Sequence, residues 1–374
     1  MVGVGLLACA GAALATVGGH GTPAERPPAP GPGHRGAPAA GTRAVPARAQ
    51  RRRFDVQAHR GGRGLVTEST LDGFANALEL GVTTLELDVR LTEDQQPVVT
   101  HDRRVSAVKC RDTAAAVAGD REYPYVGDLV RDLSLPQVKT LDCGRRQLPG
   151  FPRQRVVAGA DMPVLSEVFA LAACHGARGV GFTIEPKFAA DAPRETASRG
   201  RLVRVVAHEV RKAGLLDRVS IVSLDWGVLM RMRRHEPRLP IVAASAPRFL
   251  EAGKPGRSPW LGGLDIDDFR GGVVAAAASL GADAISPVHG TPAHAGSGLR
   301  GYMPFTTHEL VRRARRAGLK VIPWTVNRRS TMRRLIDAGV DGIITDFPDR
   351  LRAVLVQQGL RAPGPISGGR RCVP

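Results

Sequence analysis

A closed (β/α)8 barrel, the TIM-barrel class of α/β folds, is what the sequence predicts, and three observations predict it. From Phe54 onward, short apolar runs alternate with helical patterns, as in a parallel sheet built from crossover units. The alternation repeats eight times over a stretch of ordinary barrel length. No Gly-x-Gly-x-x-Gly follows the first strand, which disfavours the runner-up, an open doubly wound sheet.

The elements follow in order. "FDVQAH" is the first strand. "LDGFANALELG" sets Leu71, Phe74, Ala75 and Leu78 on one helical face, and Gly81 stops it. "TLELDV" is the second strand, and a turn-rich insertion over 103–161 follows. "VLSEVFALAACHG" is the next helix. Six more strands are "VGFTIEPK", "RVSIVSL", "LPIVAAS", "ADAISP", "LKVIPWTV" and "DGIITD". Helical patterns separate them, the weakest lying around Arg248 to Gly271.

The second strand poses a chemical question. Leu85, Leu87 and Val89 alternate with Glu86, Asp88 and Arg90. Side chains alternate faces along a strand, so the two carboxylates share a face. A barrel strand has no free solvent face. The leucines suit the helix side, and Glu86 and Asp88 then point inward, where unpaired carboxylates are costly. They are tolerable at the C-terminal mouth, where barrel active sites lie. Glu185, in "TIEPK", repeats the arrangement, with Lys187 on the same parity.

Other strand ends carry compatible groups. The first ends in His59-Arg60-Gly61-Gly62, and "VVTHD" brings His101 and Asp102 to the same rim. The seventh gives Trp324, Thr325 and Asn327, the eighth Thr345 and Asp346. Glu86, Asp88 and Glu185 without cysteine match a hard divalent cation, Ca²⁺ or Mg²⁺, better than zinc. Arg60 and Lys187 supply positive charge for an anionic phosphodiester. Two histidines allow one base and one acid near neutral pH.

The chain has 374 residues and a formal net charge of +18, a balance that favours anionic partners, unless the arginines merely decorate solvated faces. Only 4% of residues are aromatic, which argues against a stacking platform for single-stranded nucleic acid, and no specific nucleic acid is expected. Peripheral contact with an anionic envelope or membrane surface remains an expectation, and no internal stretch is long and apolar enough to span a bilayer.

Residues 1–15 resemble a secretory signal with the small-residue pattern Ala13-Leu14-Ala15, although no Lys or Arg precedes the apolar run. Residues 16–53 are rich in Pro, Ala, Gly and Arg and form a linker unable to bury a core. The barrel domain spans 54–360 and a tail 361–374. Export agrees with the cysteines: Cys110 and Cys143 share the loop-rich insertion and are expected to form a disulfide, two buried thiols being the alternative.

Taken together, "AHRGGRGLVTESTLDGFANALELGVTTLELDVRLTEDQQPVVTHD", "IEPK", "WTVN" and "TDFPD" resemble the motifs of the glycerophosphodiester phosphodiesterase family. The resemblance implies a (β/α)8 barrel with an insertion after the second strand, and cleavage of glycerophosphodiesters to sn-glycerol 3-phosphate and an alcohol. It implies His59 and His101 as the acid/base pair and Glu86, Asp88 and Glu185 as metal ligands. Arg60 and Lys187 would contact phosphate, Glu68 would be a further site residue, and Trp324 an apolar wall for the leaving alcohol. Asp102 would either orient His101 or stand one layer behind the site. The family often reads Pro-Glu-Asn-Thr where this chain has Thr67-Glu68-Ser69-Thr70, which leaves the role of Glu68 open. Two alternatives stand beside this reading: a sphingomyelinase or phospholipase D-type lipid phosphodiesterase, and a non-catalytic basic envelope-binding protein.

Overall fold

The computed structural model describes residues 53–366 and 372; the signal-like segment and almost all of the linker lie outside them. The strands are β1 (Asp55–His59), β2 (Thr84–Leu91), β3 (Pro97–Val99), β4 (Gly181–Pro186), β5 (Val219–Ser223), β6 (Ile241–Ser245), β7 (Ala284–Pro287), β8 (Gly290–Thr291), β9 (Met303–Pro304), β10 (Lys320–Val321) and β11 (Gly342–Thr345). The helices are α1 (Leu71–Leu80), α2 (Leu135–Lys139), α3 (Leu165–Cys174), α4 (Arg199–Lys212), α5 (Trp226–His235), α6 (Pro247–Leu250), α7 (Gly272–Ser279), α8 (His308–Arg316), α9 (Arg329–Asp337) and α10 (Pro348–Gln357).

Eight strands run parallel in the order β10-β7-β6-β5-β4-β2-β1-β11. The eight predicted runs are these strands. Pro323 lacks an N–H, so β10 is short, yet the seam between β10 and β11 is still bonded: Ile344 N donates to Pro323 O at 3.0 Å and Val326 N to Ile344 O at 3.0 Å. The result is a (β/α)8 barrel. The weak helical stretch after β6 folds as the single turn α6 followed by two 3₁₀ turns, with α7 covering the next gap.

Leu85, Leu87, Val89, Phe182 and Ile184 pack in the layer between strands and helices. A second, smaller cluster fills the barrel interior with Val222, Val242, Ala244, Ala284, Ile322 and Ile344. The interior is therefore apolar from β5 through β7 and on to β10 and β11, and polar on the β1–β4 side. Helix α1 shows how local sequence builds the outer layer. Thr70 accepts the Gly73 N–H as N-cap, Phe74 and Leu78 are fully buried, and Gly81 closes the helix at φ 86°. Burying each of those two side chains contributes about 2 kcal/mol.

The insertion has its own small core. Val105, Tyr125, Val130, Leu133, Val138 and Leu141 pack around the Cys110–Cys143 disulfide. A second disulfide, Cys174–Cys372, ties the end of α3 to the C-terminal tail across 198 residues of sequence. Among the described residues no helix is long and apolar enough to cross a membrane.

Candidate active site

Strand register brings the polar side together. His59 pairs with Glu86 across β1 and β2, and Asp88 pairs with Glu185 across β2 and β4. Because the strands are parallel, all four side chains sit at the C-terminal mouth. His101 arrives by a different route. β2 overruns the rim, turns at 92–96 and returns as the antiparallel β3, with Val99 opposite Val89. Thr100 N then donates to Asp88 O at 3.0 Å, so His101 descends beside Asp88. The Arg90 guanidinium locks this return by donating twice to His101 O, at 2.9 and 2.7 Å.

The turn after β1 is a run of left-handed residues: Arg60 at φ 51°, Gly61 at 79° and Gly62 at 84°. A Cβ on Gly61 would lie 2.9 Å from the backbone of Gly73 and Phe74, so only glycine fits there. This turn aims Arg60 N–H at Glu86 Oε2, 2.9 Å away, and brings Arg60 Nε within 3.0 Å of Asp88 Oδ2.

Glu86, Asp88 and Glu185 each offer an oxygen within 4.8 Å of the others. Lys187 Nζ lies 3.1 Å from Glu185 and 3.5 Å from Asp88. Burial and the neighbouring Asp88 push the Glu86 carboxyl well above its usual range. For Asp88, burial acts in the same direction, but Lys187 and Arg60 outweigh it and hold that carboxyl low. A cluster that cannot comfortably ionise in full, built of oxygen donors alone, fits a hard divalent cation.

Each histidine leans on a carboxylate. His59 Nδ1 lies 2.6 Å from Asp346 Oδ1, and Asn327 Nδ2 donates to the other Asp346 oxygen at 2.7 Å. His101 Nδ1 lies 2.8 Å from Asp102 Oδ1. Burial, with Arg60 second, lowers His59, and burial with Lys187 and Arg60 lowers His101 to about 3. Asp346 is buried, yet its contacts with His59, Arg63 and Asn327 keep it below the ordinary carboxylate range.

These groups line a cavity of about 110 Å³, with Val222, Leu224, Ala244, Trp324 and Ile344 on its apolar side and Arg248 beside them. A wider recess of about 880 Å³ opens at the other end of the barrel, around Asp55, Thr84, Gly181 and Lys320 at the strand N-termini. It holds none of the histidines or the converging carboxylates.

A family model for glycerophosphoryl diester phosphodiesterases matches residues 59–350. The chain belongs to the glycerophosphoryl diester phosphodiesterase family. It is 28% identical to a glycerophosphodiester phosphodiesterase of Caldanaerobacter subterraneus over 79% of this chain and 95% of that one. A Silicibacter pomeroyi crystal structure assigned to the same family aligns with a TM-score of 0.67 and 31% identity, covering 83% of this chain and 96% of the other. An Oleispira antarctica phosphodiesterase, solved in complex with the product sn-glycerol-3-phosphate, shares the fold at a TM-score of 0.58 and 18% identity, with 81% and 96% covered.

Within this phosphodiesterase fold, eight of the ten residues given roles from sequence line one cavity: His59, Arg60, Glu86, Asp88, His101, Glu185, Lys187 and Trp324; Asp102 stands beside His101 outside that lining. Glu68 lies outside it too. It is 6% exposed and lies behind Arg60, whose guanidinium it meets at 3.1 Å, with Arg63 Nε at 2.8 Å. It holds Arg60 from behind. Sequence reading gave no role to Asp346 or Asn327, although it saw both at strand ends, and it passed over Lys109, Arg90 and Arg248. The pairing of Asp346 with His59 needs the barrel closed. Arg90 was visible as a cation sharing parity with Asp88, but its partner is a backbone carbonyl that only the β2–β3 hairpin supplies.

Proposed function

We propose that this chain hydrolyses glycerophosphodiesters to sn-glycerol 3-phosphate and an alcohol, with Ca²⁺ or Mg²⁺ held by Glu86, Asp88 and Glu185 and with His59 and His101 exchanging the protons. The observation that carries this reading is the convergence of three carboxylates within 4.8 Å, in a cavity that two carboxylate-oriented imidazoles also line. When bound, such a cation acts as a Lewis acid toward the phosphoryl oxygens. The chain's own groups supply the rest. Arg60 and Lys187 add positive charge around the diester. The contacts to Asp346 and Asp102 keep each neutral ring's proton on Nδ1, which frees both Nε2 lone pairs. One ring takes the proton of the attacking oxygen on Nε2, and the other, which enters the cycle with a second proton on Nε2 drawn from solvent, gives that proton to the leaving alkoxide. An anionic diester entering this cavity opposes the desolvation that lowers both rings, which raises proton affinity where an acid is needed. Trp324, Val222 and Leu224 form the apolar wall for the alcohol.

Export of the protein belongs to the same proposal and is supported by its two disulfides. The net charge of +18 supports peripheral contact with an anionic surface. The test is glycerol 3-phosphate release from glycerophosphocholine by purified protein, after EDTA and again with Ca²⁺ or Mg²⁺ restored, beside Glu86→Ala. Metal-dependent release that disappears in the variant is expected. No release from glycerophosphocholine, glycerophosphoethanolamine or glycerophosphoinositol under either metal would overturn the reading.

A further inference from the structure

Lys109 comes from the insertion, yet its ammonium reaches the rim of the barrel. Nζ lies 2.5 Å from Glu68 Oε1 and 2.8 Å from Asp102 Oδ2. Those two carboxylates serve different members of the cavity: Glu68 holds Arg60 at 3.1 Å, and Asp102 holds His101 Nδ1 at 2.8 Å. One cation therefore joins the supports of a phosphate-facing arginine and an acid/base histidine. The join is partly buried, since the Lys109 side chain is 17% exposed.

The backbone that carries Lys109 is fixed independently of the barrel. Lys109 N and Cys110 N both donate to Ser106 O, at 3.0 and 2.8 Å. The next residue, Cys110, is bonded to Cys143, and Arg111 exchanges two backbone hydrogen bonds with Asp142 at 3.0 and 3.1 Å. The insertion core thus presents the ammonium from a tethered turn. A long, rotamer-rich lysine loses less entropy on docking when its backbone is already held.

We propose that Lys109 is a positioning residue through which the insertion sets the orientation of His101. This rests on the proposed two-histidine hydrolysis. The two arms of the bridge are unequal. Glu68 keeps Arg60 and Arg63 as partners if Lys109 is removed. Asp102, 33% exposed, keeps only His101 among the described residues. Loss of Lys109 therefore releases the imidazole side first and leaves Arg60 in place. The expected signature is a fall in kcat with little change in KM, because the phosphate-facing groups stay put.

Lys109→Met is expected to lower kcat on glycerophosphocholine by about tenfold or more, as loss of alignment does. Lys109→Arg, which keeps the cation, restores most of it. The decisive comparison is a cycle with Asp102→Asn. If Lys109 acts through Asp102, the double variant is no slower than Asp102→Asn alone. Multiplicative losses in the double variant, a KM increase in place of the kcat decrease, or wild-type kcat in Lys109→Met would each overturn the proposal. Should Lys109→Met not fold, Lys109→Gln carries the same expectations and refutations. Wild-type protein without any diesterase activity would instead sink the function reading itself, so the two failures are told apart by the parent protein.

Discussion

His59 Nδ1 lies 2.6 Å from Asp346 Oδ1, across 287 residues of sequence. Asn327 Nδ2 donates to the second Asp346 oxygen and so fixes which oxygen faces the ring. In Asp346→Asn, Asn327 keeps the amide oxygen, and the amide NH₂ turns toward His59 Nδ1. The neutral ring must then carry its proton on Nε2, where a base needs a lone pair. We expect kcat to fall by about a hundredfold or more, with the thermal midpoint little changed. A steady-state assay with a parallel melting curve checks both, and near-normal kcat would remove the pair from the chemistry.

Glu185 contributes an oxygen to the carboxylate cluster that could hold the cation and also meets Lys187 Nζ at 3.1 Å. In Glu185→Gln one anionic donor is lost, and affinity for Ca²⁺ or Mg²⁺ should weaken by about tenfold or more. Calorimetric titration of the metal-stripped protein reads this without any turnover. Equal affinity in variant and parent would show that the ion, if any, sits elsewhere.

The Glu68 carboxyl is held at about 2 against an ordinary 4.5. Burial alone would raise it; Arg60, Lys109 and Arg63 outweigh burial. A depressed value in the fold means that the stabilisation is complete above the unfolded value and is lost as the pH falls through the folded one. The window therefore runs from about 4.5 down to about 2. The contribution is on the order of 3 kcal/mol. Urea unfolding at a series of pH values across that window should show stability dropping in the parent and a flatter dependence in Glu68→Gln. Parallel curves would mean that Glu68 is not the group responsible.

Arg248 is a charged side chain beside the cavity's apolar wall. In the proposed function the alcohol leaves along this wall, and Arg248 then disfavours a cationic headgroup. Arg248→Glu should raise kcat/KM for glycerophosphocholine relative to glycerophosphoinositol by about fivefold, the scale of one charge contact in a wet cleft. An unchanged ratio would place the headgroup away from this arginine.

Much of this was legible in the sequence because strands impose parity. Glu86, Asp88 and Glu185 alternate with residues of the helix-side layer, and that alternation alone points them inward. The eight strands were visible for the same reason, as short apolar runs between helical patterns. What parity does not carry is closure and return. His59 meets Asp346 only because the first and last strands pair, with Ala58 opposite Thr345. His101 meets Asp88 only because β3 doubles back on β2. Lys109 lies in a segment with no periodicity to follow, and its partners come from two other parts of the chain.

The bond between Cys174 and Cys372 has a topological result. It closes a covalent ring that contains β4, β5, β6, β7, β10 and β11, six of the eight barrel strands. A protease that cuts one exposed loop inside the ring opens it without separating two pieces. The nicked molecule would run intact on a non-reducing gel and fall into fragments only after a thiol is added. Loops at the mouth, such as 292–301, can thus be cleaved while the barrel walls stay linked, so a single cut need not mean release of either half.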